Sequence, residues 1–349
     1  MVSLLLDKYE IVRVIGKGGM GMVYEAREVS SGRRVAVKWM HGQSFAEDDP
    51  NLLRFEQEAR IAGTLDSPHV TAVFECAREP EKDVVFQVME LLEGEDLRSL
   101  LDRVGALEPT VALRIATQAC AGLAAAHAAG VVHRDIKPEN IFLSRNENGD
   151  VIVKLLDFGI AKIRQSKDGV PGMTAPLNSM TSSGEMLGTP LYMAPEQFDG
   201  AKHVDARADV YSMGVTLYAM LAGAPPYANL KSFMQILRAI MTQPPPPLSQ
   251  EAPWVRPAVI GIVEKAMQSD RDARYAHGAE LFGALEAVMA GASDIRAEML
   301  VGMTEAEKAS GAKGGQAGRS ADTVTEKAMA TAETVVDAKA PWWRRLLGR

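Results

Sequence analysis

The sequence predicts an α+β chain folded as two lobes: a small antiparallel sheet with one key helix, then a larger, mainly helical part. Three observations predict it. Up to about residue 92 the apolar residues fall in short β-branched or alternating runs punctuated by glycine. Beyond Gly94 they fall in long runs such as Pro109–Gly130 and Asp209–Leu221, which have the length and apolar content of buried helices. Between the two regions, Glu90-Leu91-Leu92-Glu93-Gly94 closes a strand on a glycine, where a connection between lobes fits.

Length and charge narrow the function. The 349 residues suffice for one large two-lobed domain or two small ones, with a sizeable core. Hydrophobic residues make up 47% and charged residues 24%, as in soluble globular proteins. The 38 basic and 45 acidic residues leave a formal net charge of −7, which speaks against a nucleic-acid binder. Cys76 and Cys120 sit in apolar segments without zinc-like spacing and read as free thiols in a reducing compartment. The start, Met-Val-Ser-Leu-Leu-Leu-Asp-Lys, lacks the features of a signal peptide. No window approaches the roughly 20 apolar residues of a membrane span. Even the most apolar stretch, 111–132, carries Arg114, Gln118 and His127. A cytoplasmic protein is expected.

In the first lobe, Tyr9–Gly16, Gly21–Val29 and Arg33–Met40 read as three antiparallel strands. Between the first two lies Gly16-Lys17-Gly18-Gly19-Met20-Gly21-Met22-Val23. A dinucleotide-binding Gly-x-Gly-x-x-Gly leads from strand to helix, whereas this one leads from strand to strand. That favours a flap over phosphates, with a ligand-free Gly-rich hairpin as the alternative. Lys38 ends the third strand, where a lysine is commonly just a solvated strand end. The helix expected over Pro50–Leu65 changes that weighting. Leu52, Phe55, Ala59 and Ala62 define its apolar face, and Glu58 shares that face. An inward carboxylate is costly unless paired, so Lys38 and Glu58 are read as an ion pair. Val70–Cys76 and Asp83–Met89 complete the sheet.

The second lobe is arranged around His133-Arg134-Asp135-Ile136-Lys137-Pro138-Glu139-Asn140. The Pro keeps this segment out of regular helix. Asp135 is able to take a proton from an alcohol, Lys137 to neutralise a transferring phosphoryl group, and the Asn140 carbonyl to hold a hard cation. Ile141–Leu143 and Val151–Leu155 flank a turn at Asn146–Gly149 and form a short hairpin that exits into Asp157-Phe158-Gly159. Asp157 reads either as a bland loop acid or as a second metal ligand.

These residues together resemble the bacterial, eukaryotic-type (Hanks-type) serine/threonine protein kinases over residues 9 to 290. Six signatures stand in the family's order: the Gly loop, Val35-Ala36-Val37-Lys38, an inward Glu58, His133-Arg134-Asp135, Asp157-Phe158-Gly159 and Ala194-Pro195-Glu196. The resemblance implies the two-lobed kinase fold, with an N-lobe over about 9–92 and a C-lobe over about 93–290. It implies ATP with Mg2+ (or Mn2+) as cofactors and proteins as substrates. By position, Gly16, Lys17, Gly18, Gly19 and Gly21 would cover the phosphates, with Val23 and Ala36 over the adenine and Phe142 in the same pocket. Lys38 would bind the α- and β-phosphates. Glu90 and Leu92 would hydrogen-bond adenine through their backbones, with Met89 behind them. Asp135 would be the base, Lys137 the γ-phosphate partner, and Asn140 and Asp157 the metal ligands. Lys137 together with Gly188-Thr189-Pro190-Leu191-Tyr192 resembles the Ser/Thr-specific pattern, Thr189 bridging Asp135 and Lys137. Asp209 would hold the catalytic-loop backbone, and Glu196 would form a buried pair with Arg274. The chain departs from the family at Asp270–Arg274, which lacks the usual Pro and puts the local turn in doubt.

Between Asp157 and Glu196 the chain is rich in Ser and Thr. Thr181 and Ser183 are read as activating autophosphorylation sites, with Arg134 as the cation that would meet the phosphate, and a transient homodimer would let one copy modify another. Pro244–Pro247 reads as a stiff connector. Residues 291–340 are expected to be a disordered Ala/Gly-rich linker. The terminal 341–349, with two Trp, two Leu and three Arg, suits docking on an anionic membrane surface or a partner, and equally an ordinary tail.

Overall fold

The computed structural model describes residues 4–18, 21–40, 63, 65–79, 84–157, 189–198, 204–289 and 291–312. The first lobe is a six-stranded antiparallel sheet in the order β1-β2-β3-β4-β6-β5. Its strands are β1 (Leu4–Leu5), β2 (Tyr9–Gly18), β3 (Gly21–Glu28), β4 (Arg34–Met40), β5 (Val73–Glu79) and β6 (Val84–Glu90). Alternation places Tyr9, Ala26, Val35, Val37, Phe86 and Val88 in one buried cluster. Leu5, fully buried in that cluster, makes β1 an element the sequence reading did not foresee. The expected helix over Pro50–Leu65, with Glu58, lies outside the described residues but for Gly63 and Leu65.

The fifth strand starts at Val73 rather than Val70. Residues 70 and 71 turn instead to the other lobe, Val70 bridging Leu155 and Thr71 donating its N–H to the Leu155 carbonyl at 3.0 Å. Those backbone groups are thereby satisfied outside the sheet, so the strand cannot begin earlier.

The second lobe opens with β7 (Gly94–Asp96) and α1 (Leu97–Val104). Gly94 has φ +145°, and any Cβ there would overlap the Leu143 carbonyl, so only glycine lets β7 lie against its partner strand. Asp96 caps α1 by accepting the Ser99 N–H at 2.9 Å. Next come α2 (Pro109–Ala128), β8 (Ile141–Arg145), β9 (Asp150–Leu155), α3 (Ala206–Ala222), α4 (Phe233–Thr242), α5 (Leu248–Glu251), α6 (Pro257–Ala266) and α7 (Gly278–Val288). Helices α2 and α3 are buried nearly all round and form the centre of the main core.

Arg274 locks the far end of this lobe. It is 5% exposed and grips Glu196 with two parallel bonds of 2.7 and 2.9 Å. Its remaining donors reach the carbonyls of Gln268, Ser269 and Arg207. The turn left in doubt by the missing Pro is a single 3-10 turn, Arg271–Ala273, which Asp270 caps by accepting the Asp272 N–H.

One expectation is corrected. Residues 291–312, read from composition as disordered, are folded: β10 (Ile295–Arg296) joins a second sheet of order β10-β9-β8-β7, and 305–312 form a helical turn region. Ile295 and Leu300 are each 2% exposed, so two apolar anchors sufficed where composition suggested none. Residues 313–349, including the 341–349 tail, lie outside the described residues.

Replacing Arg274 with Met leaves the Glu196 carboxylate without its partner. The loss expected is about 3–5 kcal/mol of unfolding free energy, as for a broken buried pair. Urea denaturation checks it, a double variant Glu196→Gln/Arg274→Met being expected to recover part of that loss.

Candidate active site

The site is built from the ligand-facing side of the first sheet and from the loops at the ends of α2 and β9. In antiparallel register, directly opposed residues share a face. Val23 opposes Lys38, Gly16 opposes Val23, and Ala36 opposes Met89, so these five lie on one face. Gly18 and Gly21 oppose each other where the β2–β3 hairpin turns, and Lys17 lies opposite Met22 on its way there. Gly19 lies outside the described residues. Below the sheet, Phe142 is half-buried on β8 beside Gly94. The Glu90 N–H is taken by the Ala72 carbonyl at 3.0 Å, while the Leu92 N–H donates to no backbone carbonyl among the described residues. That donor is available to a flat heterocycle lying between Ala36 and Phe142.

The loop at 133–140 owes its shape to one carboxylate. Asp209, fully buried in the first turn of α3, accepts the N–H of His133 and of Arg134, both at 2.7 Å. His127 Nε2 lies 2.8 Å from the same carboxylate, and its Nδ1 accepts the Gly278 N–H. That second bond makes Nδ1 the acceptor, so Nε2 carries the hydrogen. Held this way, Arg134 takes φ +64° and the chain turns so that Asp135 faces the cleft. Asn140 donates Nδ2 to both the carbonyl (2.7 Å) and Oδ2 (3.0 Å) of Asp135, which turns its own carbonyl oxygen the other way. Lys137 Nζ stands 3.1 Å from Asp135 Oδ2.

Asp157 reaches the same place from β9. Leu156 donates its N–H to the Asn140 carbonyl (2.9 Å), and its own carbonyl accepts from His133 Nε2 (2.8 Å). These two bonds tie the residue before Asp157 to the loop. Asp157, at φ +39°, pairs with Lys38 Nζ at 2.6 Å across the lobes. The pairing read for Lys38 was with Glu58, which lies outside the described residues. Lys38, Asp135, Lys137, Asn140 and Asp157 thus converge. No group of three His, Cys, Asp or Glu able to hold a metal occurs among the described residues. One carboxylate and one amide oxygen instead suit a cation such as Mg2+, which keeps much of its water and shares substrate phosphates.

The platform beyond the loop is also described in part. Thr189 opens the 3-10 turn Thr189–Tyr192, and Gln197 donates to the Arg134 carbonyl at 2.9 Å while accepting the Ala194 N–H. Thr181 and Ser183 lie outside the described residues.

The sequence matches the protein kinase domain over residues 9–283. The chain belongs to the protein kinase family. It is 35% identical over 283 residues to the serine/threonine-protein kinase pkn3 of Myxococcus xanthus, covering 80% of this chain and 50% of that protein. It is also 35% identical over 308 residues to the serine/threonine-protein kinase PknB of Mycolicibacterium smegmatis, covering 88% of this chain and 46% of that protein. The chain therefore spans about half the length of the relatives it matches. In three dimensions it resembles a double-mutant form of the PknI kinase domain of Mycobacterium tuberculosis, with TM-score 0.60, 26% identity, and coverage of 82% of this chain and 96% of that one.

Four residues of this kinase site escaped the sequence reading: His127, His133, Gln197 and Lys154. Lys154 on β9 pairs with Glu90 at 2.6 Å, and Glu90 Oε1 also accepts the Ala72 N–H, fastening the strand before the lobe connection. Only His133 carried a signal, standing inside the central motif. The others are recognisable only once distant segments meet. Neither cysteine forms a disulfide, and burial pushes the Cys120 thiol up, which keeps it inert. No helix among the described residues is long and apolar enough to cross a membrane.

Burial holds His133 and His69 below the ordinary value of 6.5. The folded chain refuses a proton that the unfolded chain takes up, so stability is full above about 6.5 and falls as pH drops below it. Unfolding free energy measured by denaturant from about pH 7.5 to about pH 5.5 is expected to decline. His69→Gln is expected to make that decline shallower; equal slopes for the two proteins would contradict it.

Proposed function

We propose that this chain is an ATP-dependent protein kinase that transfers the γ-phosphate to Ser or Thr hydroxyls of protein substrates and switches itself on by autophosphorylation. The observation that carries this reading is the convergence of Lys38, Asp135, Lys137, Asn140 and Asp157 through the Leu156 backbone. Asp135 is the acceptor for the hydroxyl proton. Its second role as acceptor from Asn140 and Lys137 fixes the carboxylate for that task. General-base assistance of this kind contributes about 10²–10⁴-fold. Lys38 and Lys137 neutralise phosphate oxygens, and Asn140 with Asp157 would hold Mg2+ or Mn2+. A cation held there would supply neutralisation of phosphate charge.

Lys137 and the Gly188-Thr189-Pro190 platform favour Ser/Thr over Tyr, and the names of the relatives agree. Thr181 and Ser183 are the sites proposed for autophosphorylation, Arg134 meeting the added phosphate. A transient pair of copies would carry it out, and the 341–349 tail is proposed as a surface or partner contact.

Incubation with labelled ATP and magnesium tests this. The native chain is expected to acquire label on Ser or Thr. Asp135→Asn is expected to lose at least about 10²-fold in rate while still binding nucleotide. Thr181→Ala/Ser183→Ala is expected to lower activity toward added protein without changing nucleotide affinity. Nucleotide binding with no label on any protein would favour a kinase-like scaffold. Full activity in the double alanine variant would remove the autophosphorylation sites from the reading.

A further inference from the structure

Residues 291–303 lie past the segment that matches the kinase domain, yet they are built into the second lobe. Ile295 and Arg296 pair with Val151 and Asp150, and Arg296 adds an ion pair to Asp150 at 2.8 Å. Ala297 donates its N–H to the Gly149 carbonyl, and Met303 donates to Ala106, both at 3.0 Å. Gly302 bridges Leu107 so closely that a methyl group there would overlap the Val104 carbonyl. Arg114 on α2 reaches the Asp294 carbonyl.

This strap pairs with the start of β9, the strand that ends two residues before Asp157. One edge of β9 is paired with β8; the other would leave N–H and C=O groups open. That second edge is closed from end to end by pieces from three places. β10 takes Asp150 and Val151. Gln118 Oε1 accepts the Val153 N–H at 2.9 Å, and His69 Nδ1 lies 2.9 Å from the Val153 carbonyl. The Leu155 N–H goes to the His69 carbonyl, and the Leu155 carbonyl accepts from Thr71 N–H and Oγ1.

Gln118 is the link between strap and strand. It is 8% exposed, inside an otherwise apolar stretch of α2, so both ends of its amide need partners. Its Nε2 donates to the Ser293 carbonyl at 2.8 Å. Because that carbonyl only accepts and the Val153 N–H only donates, strap and strand together set which way the amide faces. Remove the Ser293 carbonyl and the buried Nε2 loses its acceptor, so the amide that meets β9 is held at one end only.

We propose that the 291–303 strap belongs to the catalytic unit, pairing β9 directly and through the positioning residue Gln118 so that Asp157 is presented to the cation. This rests on the kinase reading above. Two full-length variants test it from opposite sides. Gln118→Leu breaks the link and keeps the strap; Gly302→Val pries the strap from Val104 and keeps Gln118. Both are studied at a temperature where circular dichroism shows them fully folded. Calorimetric titration of ATP at graded magnesium gives the cation requirement, and amide hydrogen exchange reads Val153 and Leu155. Each variant is expected to need about 10-fold more magnesium, as for loss of a partner behind a metal ligand, and to exchange both amides faster. A lowered melting temperature with unchanged magnesium requirement and unchanged exchange would overturn the proposal and leave the strap as a mere cover. An intact chain that binds no ATP with magnesium would instead overturn the kinase reading beneath it.

Discussion

A single carboxylate without solvent contact governs the second lobe. Asp209 accepts three hydrogen bonds, from two successive backbone N–H groups of the loop and from His127. A buried charge is tolerable only with such a set of donors. The consequence for function is geometric. Two N–H groups pointing at one anion force the loop into the left-handed turn at Arg134, and that turn aims Asp135 outward. The reactive acid is thus positioned by a second acid that has no contact with the chemistry.

The same economy holds at β9. Hydrogen bonds that a sheet edge requires are supplied by side chains and by segments remote in sequence: His69 and Thr71 before the strand, Gln118 on α2, and β10 after the last helix. Each supplier gains a fixed place from the exchange, and together they deliver Leu156 to the loop. The Asp157 position is therefore a property of the whole edge.

This distribution explains what was legible in the sequence. Residues that touch ligands recur in short local motifs whose chemistry is visible one by one, as with Lys38, Asp135 and Asn140. The strands were legible through β-branched alternation and glycines, and α2 and α3 through length and apolarity. Supports were not. Gln118 and His127 looked like polar interruptions of an apolar stretch, and 291–303 like linker, because what each one does depends on a partner about 35 to 175 residues away. Composition weighs the average of a segment, and averaging over 291–340 hid the apolar residues at its start, among them the buried Ile295 and Leu300.

The contacts between lobes divide by strength. Val70, Thr71 and His69 join β9 by backbone bonds and buried side chains, and Glu90 joins it through Lys154. Among the described residues, β4 reaches the lobe connection through Arg34 and Glu93 and the second lobe through Lys38 and a 42% exposed Asp157, pairs that solvent screens. The start of β5 and the end of β6 are therefore anchored to the second lobe, while the phosphate-facing hairpin β2–β3 is held by its ladder to β4. Asp135, Asn140 and Asp157 are tied to one another inside the second lobe, whereas Lys38 meets them from the first lobe through that one exposed pair.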